Sequence, residues 1–205
     1  MIGPEKLTFP KAIGGRIADA IRASRWYEQE MLSYIAGLKR RGTYIDVGAN
    51  IGNHTAFFAS NTRAEQIVSI EPDATVYAML SEMVSANRLH TKIRTINAAA
   101  SDKPGTISFN YAAGRNKMRT GKIAAVVIDD LNLSNVTVVK IDVEGAETSV
   151  LRGMAKTIVR DKPVIFAEAL SDDALKDIVA VLRLLGYKAT GRKWNASPTY
   201  EFVAA

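Results

Sequence analysis

Acidic residues stand at the ends of strand-like segments at three places in the sequence. Asp46 ends the first of these segments, Glu71 ends the second, and Asp142 and Glu144 end a later one. In open α/β sheets, ligands bind at the carboxyl ends of the strands. Carboxylates there accept hydrogen bonds from hydroxyl groups and take protons in acid–base catalysis. The sequence therefore predicts one binding site that is built from several loops.

A glycine-containing turn follows Asp46, and Gly48 and Gly52 give it the spacing D-x-G-x-x-x-G. Glycines at such a turn let the backbone pass close to a cofactor. A dinucleotide fingerprint would need glycine at positions 46 and 51, where this chain has Asp46 and Ile51. The pattern therefore favours a cofactor turn that does not cradle a pyrophosphate, and a structural turn is the alternative.

Glu71 follows Gly52 by 19 residues. An acid at this point accepts from both hydroxyls of a ribose in dinucleotide sites, so its position predicts a nucleoside cofactor. The alternative is a carboxylate that favours the start of the helix after Pro72. Ser101 and Asp102 follow the next strand, where Asp102 could accept from an exocyclic amine of the base. A simple turn is the alternative there.

Composition limits the chemistry and the compartment. The chain has 205 residues, of which 47% are hydrophobic, and this is the size of one domain that folds alone. It has no cysteine, which excludes disulfides, thiolate zinc sites, cysteine-ligated clusters and a cysteine nucleophile. No apolar run approaches the ~20 residues of a membrane span, and the amino terminus lacks a secretory pattern. We expect a cytoplasmic protein with no membrane span.

Positive charge is concentrated in one stretch. The formal net charge of the chain is +6, and residues 88–122 carry eight lysines and arginines against Asp102 alone. Such a stretch could attract an anionic substrate or a nucleic acid. A solvated loop is the alternative.

Strand-like runs alternate with helical patterns from Thr43 onward, which is typical of a parallel sheet covered on both faces. The run over 136–143 is rich in β-branched residues and predicts a central strand buried on both faces. Five main strands are expected over 43–47, 66–70, 93–99, 136–143 and 163–167. Shorter strands are expected over 106–111 and 124–128, helices over 51–60, 146–159 and 172–185, and a final hairpin over 187–191 and 199–203.

The first 42 residues read as a helical extension that packs against a main domain over 43–205. After the Gly14-Gly15 break, apolar residues recur at steps of three and four and predict one helical stripe. The stripe comprises Ile17, Ala20, Ile21, Tyr27, Met31, Tyr34, Ile35 and Leu38. Tyr27 and Glu28 could close the site from this helix, and ordinary packing is the alternative.

Several motifs together resemble the FkbM-type S-adenosylmethionine-dependent methyltransferases. The resemblance covers about residues 43–170, in order and at compatible spacing. Its motifs are DVGANIGNHT at 46–55, IEPD at 70–73, AASD at 99–102, VIDDL at 127–131 and VKIDVEGAETSVLRG at 139–153.

The resemblance implies a class I methyltransferase of the α/β, Rossmann-like class, with a mostly parallel seven-stranded sheet and an antiparallel C-terminal strand. It implies S-adenosylmethionine as cofactor and O-methylation of a sugar, lipid or natural product, that is, of a small-molecule or glycan acceptor. It assigns the methionine side of the cofactor to the first motif, the ribose to Glu71 and the adenine to Asp102. The expected cofactor-binding residues are Asp46, Gly48, Ala49, Asn50, Gly52, Asn53, Thr55, Glu71, Pro72, Ser101 and Asp102.

An alcohol is a weak nucleophile and needs a base as its bond to the methyl carbon forms. We expect Asp142 and Glu144 to supply it, unless they only accept backbone hydrogen bonds at the strand end. His54 is the other candidate, because histidine titrates near neutrality, although it could simply be a polar residue at a helix start. We assign no metal site; a magnesium ion held by Asp142 and Glu168 is the alternative.

Two other functions stay open. The first is an RNA ribose 2′-O-methyltransferase, which the basic stretch favours and which Lys140, Asp142 and Glu168 could serve. The chain lacks the cysteine for attack on a pyrimidine and the Pro-Pro-Tyr-type motif for an exocyclic amine. The second is a cofactor-binding partner protein without turnover.

Overall fold

A computed structural model describes residues 1–10, 15–112 and 118–205 of the chain. Strands and helices alternate through most of these residues. The strands are β1 (Arg41–Val47), β2 (Arg63–Ile70), β3 (Ile93–Ile96), β4 (Ala99–Ala100), β5 (Gly105–Ala112), β6 (Met118–Val126), β7 (Val136–Ile141), β8 (Val164–Glu168), β9 (Tyr187–Trp194) and β10 (Thr199–Ala204). The α-helices are α1 (Arg16–Arg22), α2 (Gln29–Gly37), α3 (Asn53–Asn61), α4 (Ala74–Ala86), α5 (Glu147–Gly153), α6 (Ala155–Asp161) and α7 (Asp172–Leu184).

The main sheet has seven strands in the order β3-β2-β1-β7-β8-β10-β9. The neighbours from β3 to β8 pair in parallel, whereas β10 runs antiparallel to β8 and β9. The strand order reverses between β1 and β7, and such a switch point is where open α/β sheets bind ligands. The predicted α/β class, the seven-stranded sheet and its antiparallel C-terminal strand are confirmed.

Helices cover both faces of the sheet because side chains alternate along each strand. On β1, Tyr44 and Ile45 are fully buried but belong to different apolar clusters. The cluster around Tyr44 includes residues of α2, α3 and α4, and the cluster around Ile45 includes residues of α5, α6 and α7. No helix in the described ranges is long and apolar enough to cross a membrane.

A second, smaller sheet corrects three predicted strands. The strand expected over 93–99 ends at Ile96, because the Asn97 side chain donates to the carbonyls of Glu71 and Pro72 and turns the chain away. Ala99–Ala100 instead pairs with β6. The short runs expected over 106–111 and 124–128 form one long antiparallel hairpin of β5 and β6, whose mutual ladder extends both strands. Arg115 and Lys117 of the basic stretch lie outside the described residues.

The amino-terminal stripe forms two helices rather than one. α1 ends at Arg22 and α2 begins at Gln29, and Glu28 has a left-handed backbone with φ of 59°. Tyr27 and Glu28 turn away from helical geometry because they bond to residues of α3. Sequence periodicity does not report such distant contacts. The division into an extension over 1–42 and a domain over 43–205 stays a prediction.

The helix expected over 146–159 is divided at Met154, where φ is −126°. Gly153 approaches the loop after β4 so closely that a Cβ there would lie 2.0 Å from the Ser101 carbonyl oxygen. Asp129 then holds the start of α6 by accepting from the backbone N–H groups of Lys156 and Thr157. The last predicted helix is confirmed within one residue as α7, which begins after the predicted Ser171 cap.

A buried carboxylate holds α2 against the final hairpin. Glu201 is 2% exposed, and its Oε1 accepts from the Tyr34 hydroxyl at 2.8 Å. Its Oε2 accepts from Thr190 at 2.7 Å and from Arg192 at 2.9 Å. Buried carboxylates are tolerated only when they are paired in this way. The network fixes α2 relative to the hairpin of β9 and β10.

We expect Tyr34→Phe to lower the free energy of unfolding by about 1–3 kcal/mol, because it leaves a buried carboxylate oxygen without its donor. Urea unfolding measures the change. Tyr200→Phe is the matched control, since no hydrogen bond of its hydroxyl occurs in the described part of the chain. Equal stability of the two variants would show that the network does not hold α2.

Candidate functional site

Asp46 ends β1 in a fully buried position. Its Oδ2 accepts from the Thr55 hydroxyl at 2.6 Å, and Thr55 also lies 2.8 Å from the Ser69 hydroxyl. Its Oδ1 is buried and has no hydrogen-bond partner within the described residues. A buried carboxylate oxygen is costly to leave unpaired. The Lys140 ammonium, 3.8 Å from Oδ1, compensates the charge of this carboxylate, and Thr55 supports it through Oδ2.

The turn after β1 requires its glycines. Gly48 has φ of 77°, and a Cβ there would lie 1.8 Å from the Asp142 carbonyl oxygen. Gly52 has φ of 91°, and its Cβ would lie 2.5 Å from Met83. The N–H groups of Gly48 and Ala49 both donate to the Ile70 carbonyl, which fixes the turn to β2. Close packing thus explains the spacing.

Glu71 joins the ends of β2 and β1. Its Oε2 accepts from the Asn50 N–H and its Oε1 from the Asp73 N–H, both at 2.9 Å. Burial raises the pKa of Glu71 to about 6, although these two hydrogen bonds lower it. Asp73, not Glu71, caps α4. Each Glu71 oxygen retains further acceptor capacity, and Pro72 beside it is half-buried.

Lys140 is a buried cation in the middle of the sheet, 1% exposed. Its ammonium donates to Asp142 Oδ2 at 3.2 Å and to the Gly48 carbonyl at 3.4 Å, and lies 3.8 Å from Asp46 Oδ1. Burial alone would lower the pKa of Lys140. The carboxylates of Asp142 and Asp46 outweigh burial and raise the pKa above its ordinary value. Lys140 is therefore charged and holds the ends of β1 and β7 together.

Asp142 and Glu168 form a carboxyl pair at the ends of the neighbouring strands β7 and β8. Burial raises the pKa of Asp142, but Lys140 and a hydrogen bond from Glu168 hold it below its ordinary value. Burial and the charge of Asp142 raise the pKa of Glu168 to about 8. The pair therefore holds one proton near neutrality, mainly on Glu168.

Glu144 does not join this pair in the described structure. It is exposed and has φ of 52°, so the strand alternation that would align it with Asp142 has ended. Sequence reasoning missed Glu147, which is 3% exposed and accepts from the N–H groups of Val143 and Gly145. Its position in the first turn of α5 was the available signal. Glu147 shapes the loop that carries Glu144.

The loop after β4 places Ser101 beside Asp102 and next to α5. The Asp102 Oδ1 accepts from the Ser149 hydroxyl at 2.9 Å, and this bond lowers the pKa of Asp102. Asp102 is exposed, so its carboxylate stands at the surface of the molecule. In this position the carboxylate can accept a hydrogen bond from the amine of a nucleobase.

The segment between α1 and α2 is bonded to the start of α3. Asn53 exchanges two hydrogen bonds with the backbone of Tyr27, at 3.2 and 3.1 Å. The His54 Nε2 lies 2.9 Å from Glu28 Oε2, and both side chains are less than 10% exposed. The Nε2 of His54 is therefore already paired with the Glu28 carboxylate. Closure of the site by Tyr27 and Glu28 stays a prediction.

Within the described residues, no group of three or more histidines, aspartates or glutamates could hold a metal ion. The site consists of strand-end carboxylates, a buried lysine and a glycine turn. Such a set can accept hydrogen bonds from a polar cofactor and take up a proton.

A family model described as the methyltransferase FkbM domain matches residues 46–189, which is more than half of the chain. The chain belongs to the FkbM methyltransferase family. The match begins at Asp46 and includes every strand end that contributes a carboxylate to the site. The resemblance seen in the motifs is confirmed.

Solved structures share the fold of this FkbM domain. One is a methyltransferase FkbM from Methylobacillus flagellatus, with a TM-score of 0.66 and 22% identity over 82% of this chain and 45% of that one. This chain thus spans about half the length of that protein. Another is a precorrin-6y C5,15-methyltransferase from Geobacter metallireducens, with a TM-score of 0.56 and 14% identity over 98% of this chain and 94% of that one.

A third structure comes from Pyrococcus horikoshii and is described as that of an RNA methyltransferase. Its TM-score is 0.57, with 14% identity over 98% of this chain and 94% of that one. No curated protein matches the chain. The neighbours therefore establish the Rossmann-like methyltransferase fold and leave the acceptor to be argued from the site.

A side chain in the left-handed region costs about 1–2 kcal/mol. We expect Gly48→Ala to lower the free energy of unfolding by more than this, because its Cβ would also overlap the Asp142 carbonyl oxygen. Gly191→Ala is the matched control, with φ of 84° and nothing within 4 Å of its Cβ. Urea unfolding compares the two variants. Equal losses would show that the turn has room for a side chain.

We expect S-adenosylhomocysteine to bind more weakly as the pH falls through about 6, because Glu71 then takes up a proton and loses its charge. Glu71→Gln should lower the affinity at pH 8 by about tenfold or more and remove this pH dependence. Calorimetry at several pH values measures both effects. Glu82→Gln, at an exposed carboxylate on α4, is the control. A Glu71→Gln variant with unchanged affinity would contradict the ribose assignment.

Proposed function

We propose that this FkbM domain transfers a methyl group from S-adenosylmethionine to a hydroxyl oxygen of a sugar, lipid or natural-product acceptor. The observation that carries the proposal is the Asp142–Glu168 pair beside the glycine turn. An alcohol must lose its proton as the new bond forms, and Glu168 can accept that proton when it is ionised. Family membership supplies the reaction class.

The residues at the strand ends fit S-adenosylmethionine. The Oδ1 of Asp46 lies 3.8 Å from the Lys140 ammonium and accepts no hydrogen bond within the described residues, so it can accept one from the ammonium group of the cofactor. Glu71 uses one acceptor position on each oxygen for the backbone, which leaves capacity for two ribose hydroxyls. Asp102 is exposed at the adjacent loop and suits the amine of an adenine. We propose that these residues, with the turn from Gly48 to Gly52, bind the cofactor.

Bound S-adenosylmethionine supplies an electrophilic methyl group on a sulfonium. The chain's own contribution is to orient the acceptor hydroxyl and to remove its proton. Orientation contributes much of the acceleration in such a displacement. As the oxygen–carbon bond forms and the sulfur–carbon bond breaks, the hydroxyl proton passes to the ionised carboxylate of Glu168. Lys140 keeps Asp142 ionised, and the charge of Asp142 raises the pKa of Glu168, which makes Glu168 the stronger base of the pair.

Glu144 and His54 stay predicted catalytic residues. Glu144 is exposed in its loop, and His54 is buried against Glu28. We propose that the pair of Asp142 and Glu168 is the base. His54 positions Glu28, whose carboxylate lies 2.9 Å from the His54 Nε2. A double change of Asp142→Asn and Glu144→Gln that left biological activity unchanged, with cofactor binding retained, would favour a partner protein without turnover.

RNA ribose 2′-O-methylation is the second candidate. It is supported by the excess of basic residues over 88–122 and by the name of the Pyrococcus neighbour. One of those residues, Lys92, donates to the Ala59 carbonyl at 2.8 Å and so has a structural role. RNA binding would weaken steeply as salt is added. A flat salt response would remove this candidate. A cytoplasmic location stays a prediction.

We expect the rate of methyl transfer to rise with pH through about 8, because the carboxyl pair is the better base once Glu168 has lost its proton. Glu168→Gln should remove this titration and lower kcat by about 10²–10⁴-fold. The kcat–pH profile measures the effect, and Glu65→Gln, at a partly exposed ion pair with Arg41, is the control. An unchanged profile in Glu168→Gln would contradict the assignment.

A further inference from the structure

Tyr27 lies in a turn that is fastened to α3 at three consecutive residues. Trp26 is 5% exposed and packs edge-on against Phe57, with ring centroids 5.3 Å apart. The Tyr27 backbone exchanges its two hydrogen bonds with the Asn53 side chain, and the Glu28 carboxylate bonds to the next residue of α3. The backbone of Tyr27 is therefore held in one place at the start of α3.

One short loop connects this turn with the proposed base. The loop runs from the end of β1 to the start of α3, where Asn53 holds Tyr27. At the other end of the loop, the Asp142 N–H donates to the Val47 carbonyl at 3.0 Å, and Gly48 lies directly against the Asp142 carbonyl. Tyr27 and Asp142 are therefore bound to opposite ends of the same loop.

The side chains of Tyr27 and Asp142 also interact electrostatically. Burial raises the pKa of Tyr27, and the charge of Glu28 raises it further. Arg16 lowers the pKa of Tyr27, whereas the charge of Asp142 raises it. The Tyr27 hydroxyl therefore lies within electrostatic reach of the Asp142 carboxylate and keeps its proton at neutral pH.

This hydroxyl has a hydrogen left to donate. The Arg16 guanidinium donates a hydrogen bond to it, and a guanidinium cannot accept one. No acceptor for the Tyr27 O–H occurs in the ranges that the structure describes. Tyr27 is half-buried, and the Asp142 side chain is 33% exposed. A molecule that reaches Asp142 from the solvent can therefore accept a hydrogen bond from Tyr27.

A donor close to the carboxyl pair matches two neighbouring oxygens of one acceptor molecule. The hydroxyl that is methylated gives its proton to Glu168. That oxygen would lose nucleophilicity if it also accepted a hydrogen bond, so the Tyr27 O–H is better matched to an adjacent oxygen. The hydroxyl groups of a polyol can both donate and accept hydrogen bonds. Sugars carry such hydroxyls on adjacent carbons, whereas an alcohol with one hydroxyl offers no second oxygen.

We propose that Tyr27 binds the acceptor, and that its hydroxyl donates to an oxygen next to the hydroxyl that is methylated. The proposal rests on the proposed function and narrows its acceptor to a polyhydroxylated molecule, such as a sugar. The oxygen–carbon bond forms as the sulfur–carbon bond breaks, Glu168 receives the proton, and Tyr27 exchanges none. Asn53 and Glu28 are positioning residues, because they hold the turn that carries Tyr27.

Carbon-13 NMR of the tyrosine Cζ atoms tests the proposal on the full chain loaded with S-adenosylhomocysteine. Tyr27→Phe assigns the Tyr27 resonance. Glycerol and 1-propanol, which have the same number of carbons, are titrated separately to molar concentration. We expect glycerol to shift the Tyr27 resonance along a saturating curve and 1-propanol to bind about fivefold or more weakly, because it lacks the second oxygen. The resonance of Tyr200, which is also half-buried, is the internal control and should not follow this curve.

Tyr27→Phe should weaken glycerol binding by about fivefold, measured from the shift of the Asp142 amide, because the phenyl ring stays and the donor is lost. Tyr200→Phe is the matched control and should leave glycerol binding unchanged. Equal shifts at Tyr27 and Tyr200, equal affinity for the two probes, no shift at Tyr27, or unchanged glycerol binding in Tyr27→Phe would each overturn the proposal.

Two measurements on the parent chain report separately on the proposed function. They are the amide shifts of Gly48 and Asn50 with S-adenosylhomocysteine and the titration of the Glu168 carboxyl at about 8. If both are observed while glycerol leaves the Tyr27 resonance unshifted, the assignment of Tyr27 fails and the proposed function stands. If both are absent, the proposed function fails first.

Discussion

A buried ammonium group at the centre of the sheet sets the arrangement of the site. Lys140 has no access to solvent, so its charge must be compensated by nearby carboxylates. Asp46 lies opposite Lys140 in the paired register of β1 and β7, and Asp142 follows two residues later on β7. The cation therefore connects the end of β1, where we propose that the cofactor binds, with the end of β7 beside the proposed base. The glycine turn joins the same group through the Gly48 carbonyl.

The ion pair between Lys140 and Asp142 also gives the carboxyl groups of Asp142 and Glu168 different pKa values. Lys140 holds Asp142 in its ionised form. Burial and the charge of Asp142 raise the pKa of Glu168 to about 8. Environments that push two pKa values apart commonly mark acid–base sites. Because β7 and β8 are neighbours, the fold alone brings these carboxyl groups together.

Motif spacing and periodicity predicted the sheet, its strand-end carboxylates and the final hairpin, because each depends on local patterns. Contacts between residues that are distant in the sequence determine where the helices are interrupted and how the loop after β7 is held. Glu28 breaks the predicted amino-terminal helix through His54, which is 26 residues away. The predicted central helix is divided at Met154, next to Gly153, where the Ser101 carbonyl leaves no room for a side chain. The support that Glu147 gives to its loop likewise became visible only with the folded backbone.

Carbon-13 NMR of the side-chain carboxyl groups, followed against pH, tests the shared proton directly. Glu168→Gln and Asp142→Asn assign the two resonances. The account predicts that the Glu168 carboxyl titrates near 8 and that the Asp142 carboxyl titrates below its ordinary range. Two independent titrations at the ordinary values of exposed carboxyl groups, about 4, would contradict it.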